Sequence, residues 1–402
     1  MIVRGVSMIK RITILLILCV FLSGCWNRRE LNELAITMAL GIDKDDDGFL
    51  VSAQAVVPTE VSMNAGKGGS PVTLFQAKGE TVHEAIRKMT KKSSRKIYPG
   101  HLRMLVLSEE LAEDGIGKPL DIISRDWEMR ADFYVVIAED ITAHEVLNIQ
   151  TPLEAIPASK MFHTLRVAEK NWASTTGITL DELIVDIESM GKEAVVTGIQ
   201  VHGKAKDGAS KQNVETITPS TELIYDNLSV FKKDKLVGWL TEDESKAYNG
   251  ITNKVKNTVS TISCPTDGKA DIEVLRYDTD VKGNVINGSP EVNLDIKIEA
   301  NISALECQFD INKIESIDIL EKIFEKEIKE TVNNTIEVVQ EKYESDIFGF
   351  GNSIHRSNPK EWEKLKENWD EEFSEMEVKT RVSVKIRNIG TETDSIQKME
   401  EK

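Results

Sequence analysis

The chain begins with a short apolar segment that leads directly into a cysteine. Residues 12–22 are almost wholly apolar, and basic residues precede them: Arg4, Lys10 and Arg11. This length is typical of a signal-peptide core and is well below the roughly 20 residues that a membrane-spanning helix needs. Two small residues, Ser23 and Gly24, separate the apolar segment from Cys25, as in the processing site of bacterial lipoproteins. The sequence therefore predicts a signal peptide over residues 1–24 and a diacylglycerol anchor on Cys25.

The remaining sequence has no other apolar run near 18 residues, so we expect folded domains held at a membrane surface by acyl chains. The 402 residues carry 50 Lys and Arg against 67 Asp and Glu, and no long acidic or basic block accounts for the resulting net charge of -17. Removal of residues 1–24 takes away three cations and leaves -20. Such a surface repels phosphate backbones, which argues against binding to nucleic acid. It also predicts no electrostatic attraction to anionic lipid, so the acyl chains must supply the attachment.

Residues 35–42 and 49–57 are two apolar, β-prone runs on either side of an acidic turn. The turn ends in Asp47-Gly48, a pair suited to positive φ, which favours a β-hairpin. Its acids also imitate a calcium loop, with Asp at the first, third and fifth positions. The twelfth position, however, is Gln54, which lacks the bidentate carboxylate of such a loop. The sequence therefore predicts a hairpin and no metal site.

Three capping boxes predict helix starts in the region that follows. In each, a threonine is followed three residues later by a glutamate: Thr81, Thr142 and Thr179. Strand-like runs lie between them at residues 102–107 and 133–138, and a helix is expected near residues 120–129. We predict one mixed α and β domain over residues 25–190.

Two further domains are predicted after it. Residues 191–263 are β-rich, and residues 264–402 combine strands with helices. A long amphipathic helix is expected over about residues 314–345, where apolar residues recur at helical spacing. A second helix is expected to start at Pro359 with Asn358 as its cap. The predicted fold class is α+β, with three domains of mixed sheet and helix.

Cys264 and Cys307 remain once Cys19 leaves with the signal peptide and Cys25 is acylated. An exported chain is in a setting that permits a disulfide between them. Two separate buried thiols fit the sequence equally well, so both interpretations stay open. Neither cysteine has a CxxC or Cys/His spacing that indicates zinc.

The sequence contains no strong catalytic motif. The histidines form no HExxH pair, and the chain has no GxSxG sequence. A carboxylate pair could still form on folding, as in a glycosidase, but 6% aromatic residues leave few platforms on which sugars stack. We predict that the chain is not an enzyme and that it binds no cofactor.

Several short stretches of the sequence are each a modest match to a known family, but together and in this order they make a specific match. Along the chain they are GCWNRREL (24–31), ALGID (39–43), YPGHLR (98–103), SEELA (108–112), RDWEMR (125–130), LSVFK (228–232), KLVGWL (235–240) and the end from Trp362 to Gly390. In these stretches the chain resembles the Ger(x)C family, the lipoprotein C subunits of spore germinant receptors. The glycine-rich loop of residues 63–70 and the pair Cys264 and Cys307 are not typical of that family.

The resemblance implies a non-enzymatic C subunit of a nutrient germinant receptor, with an α+β fold in three domains. Such a subunit is held by the lipid on Cys25 at the outer face of the spore inner membrane, beside the integral-membrane A and B subunits. Only Cys25 matches a position with assigned chemistry, so no catalytic or ligand residue is carried over. The alternative is a free-standing lipoprotein that binds a solute and delivers it to a transporter; an extracellular hydrolase is a more distant possibility.

Three residues in these stretches are candidates for contact with the partner subunits: Arg103, Trp127 and Arg130. Arg and Trp are the residue types that most often anchor protein interfaces. The alternative is that they stabilise the fold at a domain core or hinge, and the sequence leaves both roles open.

Overall fold

A computed structural model describes residue 13 and residues 30–61, 68–265, 267–307, 311 and 313–389. Apart from residue 13, the predicted signal peptide lies outside the described residues, as do Cys25, most of the glycine-rich loop and the polar tail.

The described residues form strands and helices in alternation. The strands are β1 (Leu34–Asp45), β2 (Gly48–Val56), β3 (Val72–Gly79), β4 (Lys96–Tyr98), β5 (Met104–Ser108), β6 (Tyr134–Ala138), β7 (Val195–His202), β8 (Glu222–Lys232), β9 (Lys235–Leu240), β10 (Thr258–Ser263), β11 (Lys269–Ile286), β12 (Ser289–Leu305) and β13 (Glu377–Asn388). The longer helices are α1 (Val82–Lys88), α2 (Glu109–Asp114), α3 (Gly117–Ser124), α4 (Ala143–Asn148), α5 (Pro157–Asn171), α6 (Leu180–Glu188), α7 (Glu242–Ile251), α8 (Ile314–Val338), α9 (Phe350–Ser357), α10 (Pro359–Leu365) and α11 (Trp369–Glu375). Shorter helical turns are Leu31–Glu33, Pro58–Val61, Met89–Lys91, Ala205–Gly208, Gln212–Glu215, Val339–Tyr343 and Lys366–Asn368.

Strands β1 to β9 form one mixed sheet, called here the larger sheet, in the order β3-β2-β1-β5-β6-β7-β8-β9 with β4 beside the start of β1. Its centre is parallel, because β1, β5, β6 and β7 run in the same direction. Antiparallel strands complete both edges. The predicted hairpin is confirmed, and it closes with Asp45 opposite Gly48.

Helices cover both faces of the larger sheet. On β5, Leu105 and Leu107 share a core with apolar residues of α1, α2, α3 and α6, whereas Met104 and Val106 share one with α4 and α5. All four side chains are fully buried. Burial on both faces explains why the central strands read as continuous apolar runs and show no alternation of apolar and polar residues.

The acidic turn of the hairpin contributes a buried carboxylate that positions α4. Asp43 is only 4% exposed, and its two oxygens accept the backbone N–H groups of Ala143 (2.6 Å) and His144 (3.0 Å). Thr142 caps the same helix through the predicted capping box with Glu145. Burial raises the pKa of Asp43, although the two N–H groups act against it. The carboxylate therefore joins the end of β1 to the N-terminus of α4.

Strands β10 to β13 form the smaller sheet, in which β10, β11 and β12 are antiparallel and β12 and β13 are parallel. The predicted long helix is confirmed, because α8 continues through the π-helical turn Val339–Tyr343. Its buried face includes Leu320, Phe324 and Ile336, which join the apolar core that the smaller sheet contributes to. The predicted α+β fold class is thus confirmed.

The helix expected near residues 120–129 ends earlier than predicted, at Ser124. The Asp126 carboxylate accepts the backbone N–H of Glu128 at 2.9 Å, and such local bonds compete with helical pairing. The second C-terminal helix starts at Pro359 as predicted, but Asn358 provides no side-chain cap, and the helix is interrupted at Lys366–Asn368.

The strands of residues 191–263 are shared between the two sheets. Strands β7, β8 and β9 belong to the larger sheet, and β10 belongs to the smaller one. The division into domains over residues 25–190, 191–263 and 264–402 remains a prediction.

Candidate functional site

The described chain starts at one end of the larger sheet, where its parallel strands begin. Glu30 and the helical turn Leu31–Glu33 lead into β1, and β4 runs beside the first residues of that strand. Cys25 itself lies outside the described residues. Two of the stretches behind the family resemblance, residues 98–103 and 125–130, lie close to the same end of the sheet.

Arg103 is built into this end of the sheet. Its backbone N–H donates to Met38 (2.9 Å), and its carbonyl accepts the N–H of Tyr134 (3.0 Å), so it joins β1, β5 and β6. The guanidinium carbon lies 4.9 Å from the centre of the Phe162 ring, a cation–π geometry that Arg166 repeats at 5.5 Å. Arg103 therefore contacts residues of its own fold, and its role in contact with a partner subunit stays a prediction.

Trp127 and Arg130 lie on the loop that precedes β6. Trp127 is 77% exposed. Arg130 is also exposed and forms a bidentate pair with Asp132, with its nitrogens 2.7 and 3.1 Å from the two carboxylate oxygens. The loop is fixed to the sheet by the ion pair between Glu128 and Lys96 of β4, at 2.6 Å. The structure thus presents Trp127 and Arg130 at the surface, whereas Arg103 is half-buried against Phe162.

At the other end of the parallel strands is a carboxylate contact that the sequence did not reveal. Glu109 directly follows β5, and its carboxylate accepts the indole N–H of Trp239 (2.6 Å) and the backbone N–H of Asp140 (2.9 Å). Neighbouring Glu139 accepts a bond from Gln200 (2.8 Å), and burial raises the pKa of Glu139. These carboxylates are occupied by bonds that join strand ends. No sequence signal predicts the contact between Glu109 and Trp239, because the two residues are 130 positions apart.

The two sheets are joined at the loop that follows α8. The Tyr343 hydroxyl donates to the carbonyl of Trp239 (2.7 Å), and the Ser345 hydroxyl donates to the carbonyl of Phe231 (2.6 Å). Both acceptors are on the larger sheet, so this loop forms a junction between the two halves of the chain.

Asp346 is the buried centre of this junction. Its carboxylate accepts the backbone N–H groups of residues 349–351 (2.8–3.1 Å) and the indole N–H of Trp369 (3.0 Å). Its backbone carbonyl accepts the N–H of Glu193, which precedes β7 (2.8 Å). Burial raises the pKa of Asp346 to about 6, even though all four donors favour the charged form. Asp346 was not found from the sequence, although the glycines at 349 and 351 are a turn signal beside it.

Glu193 is the second acid at the junction. Its side chain accepts the backbone N–H of Lys233 at 2.7 Å. Burial, together with the charges of Asp370 and Asp346, raises the pKa of Glu193 to about 7. Two acids with raised pKa values therefore lie at the contact between the two sheets.

Cys264 and Cys307 are paired in the structure as a disulfide, with Cα atoms 5.6 Å apart. Among the described residues, no group of three or more His, Cys, Asp or Glu side chains is arranged to hold a metal ion. The part of the chain that the structure describes also has no helix long and apolar enough to cross a membrane.

The two sheets and the helices around them define an α+β architecture that is also seen in a crystal structure entitled "Crystal Structure of the GerBC protein". The two structures superimpose with a TM-score of 0.54, over 87% of this chain and 97% of that one. At 21% sequence identity, this likeness shows the fold.

Two family models match most of the sequence. "Spore germination protein N-terminal domain" matches residues 27–201, and "Spore germination B3/GerAC like, C-terminal" matches residues 226–390. Spore germination protein KC of Bacillus subtilis (strain 168) is 30% identical over 95% of this chain and 96% of its own length. Spore germination protein A3 of the same strain is 29% identical over 93% and 98%, respectively. The chain belongs to the Ger(x)C family of spore germination proteins.

Proposed function

We propose that this chain is the lipid-anchored, non-enzymatic C subunit of a nutrient germinant receptor. The observation that carries the proposal is the end-to-end similarity to spore germination protein KC, over 95% of this chain at 30% identity. Similarity along the whole length supports a shared role, because a shared single domain would support only a shared module. In this role the diacylglycerol on Cys25 holds the chain at the outer face of the spore inner membrane, where it assembles with the integral-membrane A and B subunits.

The exposed loop before β6 is the proposed partner contact. Trp127 offers a large apolar ring that is 77% exposed, and Arg130 offers a planar cation beside it in the sequence. Aromatic and Arg side chains of this kind often dominate binding energy when a partner excludes water from them. Arg103 would support this contact indirectly, by holding the starts of β5 and β6 in place.

The test is affinity purification of the tagged chain from solubilised spore inner membrane, followed by mass spectrometry of the proteins recovered with it. We expect multi-span A- and B-type proteins with the unchanged chain and their loss with Cys25→Ala. Cys19→Ala is the matched control, because it removes a cysteine of the signal peptide that is not acylated. Recovery of the lipidated chain alone would contradict the receptor role and favour the solute-binding alternative, which a thermal shift with amino acids or sugars would then test.

The same purification tests the contact loop. Trp127→Ala and Arg130→Ala are expected to reduce recovery of the partners without changing the thermal unfolding of the chain. Ile217→Ala is the matched control, because Ile217 is a fully exposed apolar residue on a different loop. Equal recovery of the partners with all three variants would show that the contact lies elsewhere.

A further inference from the structure

A strongly basic segment lies beside the start of β1. Residues 87–96, which read RKMTKKSSRK, contain six cations and no acid, within a chain whose net charge is -17. The last of these residues, Lys96, opens β4 and is paired with Leu34, the first residue of β1. Arg95 lines, together with Leu31, an open groove of about 430 Å³. The fold therefore places this cationic segment next to the point where the chain enters the larger sheet.

Four cations of this segment form no ion pair among the described residues, and two do. Lys88 pairs with Glu84 at 2.7 Å, and Lys96 pairs with Glu128 as described above. Of the remaining four, Arg87 donates to the His83 ring at 3.4 Å, and Lys92 donates to the carbonyl of Gln76 at 2.8 Å. Lys91, Lys92 and Arg95 are exposed, and none of them has an acidic partner among the described residues. They leave a local positive surface on an acidic protein.

Two more basic residues come shortly before β1 in the sequence. Arg28 and Arg29 directly precede Glu30 in the sequence, and the acids of the adjoining turn are Glu30 and Glu33. Leu31, on the same turn, is 72% exposed.

The chain length between the proposed anchor and this surface is short. Cys25 precedes Glu30 by five residues, which span at most about 18 Å when fully extended. A bilayer that holds the acylated Cys25 is therefore within reach of this end of the larger sheet. Anionic headgroups attract basic side chains held within about a Debye length of them.

We propose that Lys91, Lys92 and Arg95 bind the anionic phospholipid headgroups of the membrane that carries the anchor, with Leu31 entering its interface. This inference rests on the proposed lipid anchor and adds an orientation to it. The starts of the parallel strands face the bilayer, and β1 leads away from it over about 40 Å, since its 12 residues each rise about 3.3 Å. The loop of Trp127 and Arg130, which Glu128 joins to Lys96, then lies near the membrane surface where integral-membrane partners can reach it.

The test measures which end of the larger sheet lies at the bilayer. The lipidated mature chain is labelled with a fluorophore at Ser94→Cys and reconstituted into vesicles whose lipids carry a headgroup-level quencher. Asp47→Cys is the matched control, because Asp47 is exposed in the turn at the far end of β1. One set of vesicles contains 30% phosphatidylglycerol in phosphatidylcholine, and the other contains phosphatidylcholine alone. We expect the label at position 94 to be quenched in the anionic vesicles and the label at position 47 to be unaffected.

A charge-reversed variant tests the cause of this quenching. Lys91→Glu, Lys92→Glu and Arg95→Glu together are expected to reduce quenching at position 94 by about threefold or more, while the chain still floats with the vesicles. The control reverses the exposed cations Lys204, Lys206 and Lys360 to Glu, which makes the same change in net charge.

Three results would overturn the proposal without affecting the anchor, provided that the chain floats with the vesicles. They are equal quenching at both positions, equal quenching at position 94 in both kinds of vesicle, and no difference between the two charge-reversed variants. Failure of the unchanged mature chain to float with the vesicles would instead contradict the proposed lipid anchor. It would also contradict the present proposal, which rests on that anchor.

Discussion

Replacement of Asp346 by alanine is expected to lower the free energy of unfolding by about 4 kcal/mol at pH 7.5. The carboxylate accepts three backbone N–H groups and the indole N–H of Trp369 at a position that is 1% exposed. One water fits in the space that the side chain vacates, and it can accept two of these bonds. Two buried donors then remain without an acceptor, and each costs about 1–3 kcal/mol.

The smaller change Trp369→Phe should cost about 2 kcal/mol, because it removes one hydrogen bond to a charged group and keeps most of the buried ring. Asp318→Ala is the matched control, since Asp318 is an exposed carboxylate on α8 and its loss should change stability by less than about 0.5 kcal/mol. Urea denaturation of the mature chain, followed by tryptophan fluorescence and circular dichroism, measures all three variants. A loss of less than about 1 kcal/mol for Asp346→Ala would refute the view that this carboxylate holds the junction together.

Three further predictions concern pH, the disulfide and the far end of the larger sheet. The raised pKa of Glu193, about 7, makes its contribution to stability most favourable below its unfolded value of 4.5, and this contribution is lost as the pH rises through 7. This rise in the pKa corresponds to about 3.4 kcal/mol, which partial exposure of the side chain reduces to about 2 kcal/mol. Glu193→Gln should therefore flatten the fall in the free energy of unfolding between pH 5 and 8. Urea denaturation at several pH values measures this dependence, and an unchanged dependence on pH would contradict the prediction. Reduction of the bond between Cys264 and Cys307, or replacement of both by serine, should cost about 4 kcal/mol, because their separation of 43 residues sets the loop-closure entropy. Equal urea midpoints with and without reductant would argue against that bond. Trp239→Phe should lower the free energy of unfolding by about 2 kcal/mol, because the indole N–H no longer donates to the charged Glu109. Glu109→Gln should cost less, because the amide oxygen of glutamine still accepts the indole N–H. Equal stability of the Trp239→Phe variant and the unchanged chain in thermal or urea unfolding would argue against this contact.

Features that depend on neighbouring residues could be predicted from the sequence. The capping boxes of Thr142 and Thr179 form because donor and acceptor are three residues apart on one helical turn. The hairpin of β1 and β2 forms because an acidic turn joins two β-prone runs. Helix α8 follows its apolar stripe, since a spacing of three and four residues places those side chains on one buried face.

Features that depend on distant residues could not be predicted. Asp43 resembled a calcium ligand in sequence, yet in the structure it binds the start of α4, 100 residues away. Glu109 and Trp239 are each unremarkable in sequence until the strand order β5-β6-β7-β8-β9 brings the ends of the strands together. Helix α3 stops at Ser124 because a local side-chain bond and the pair between Lys96 and Glu128 hold the following loop in another conformation.

The sequence by itself determined the kinds of element along this chain, the α+β class, the long C-terminal helix and the family to which the chain belongs. These features depend on the spacing of neighbouring residues and on the order of the family-like stretches along the chain, and the sequence shows both directly. Only the tertiary structure decided which of the three candidate contact residues is exposed and which acids form the junction between the sheets. It also decided that the basic residues 87–96 lie beside the start of β1. The physical reason is that strand order and burial set which distant side chains meet, and net charge summed over the sequence does not show where charges gather on the surface.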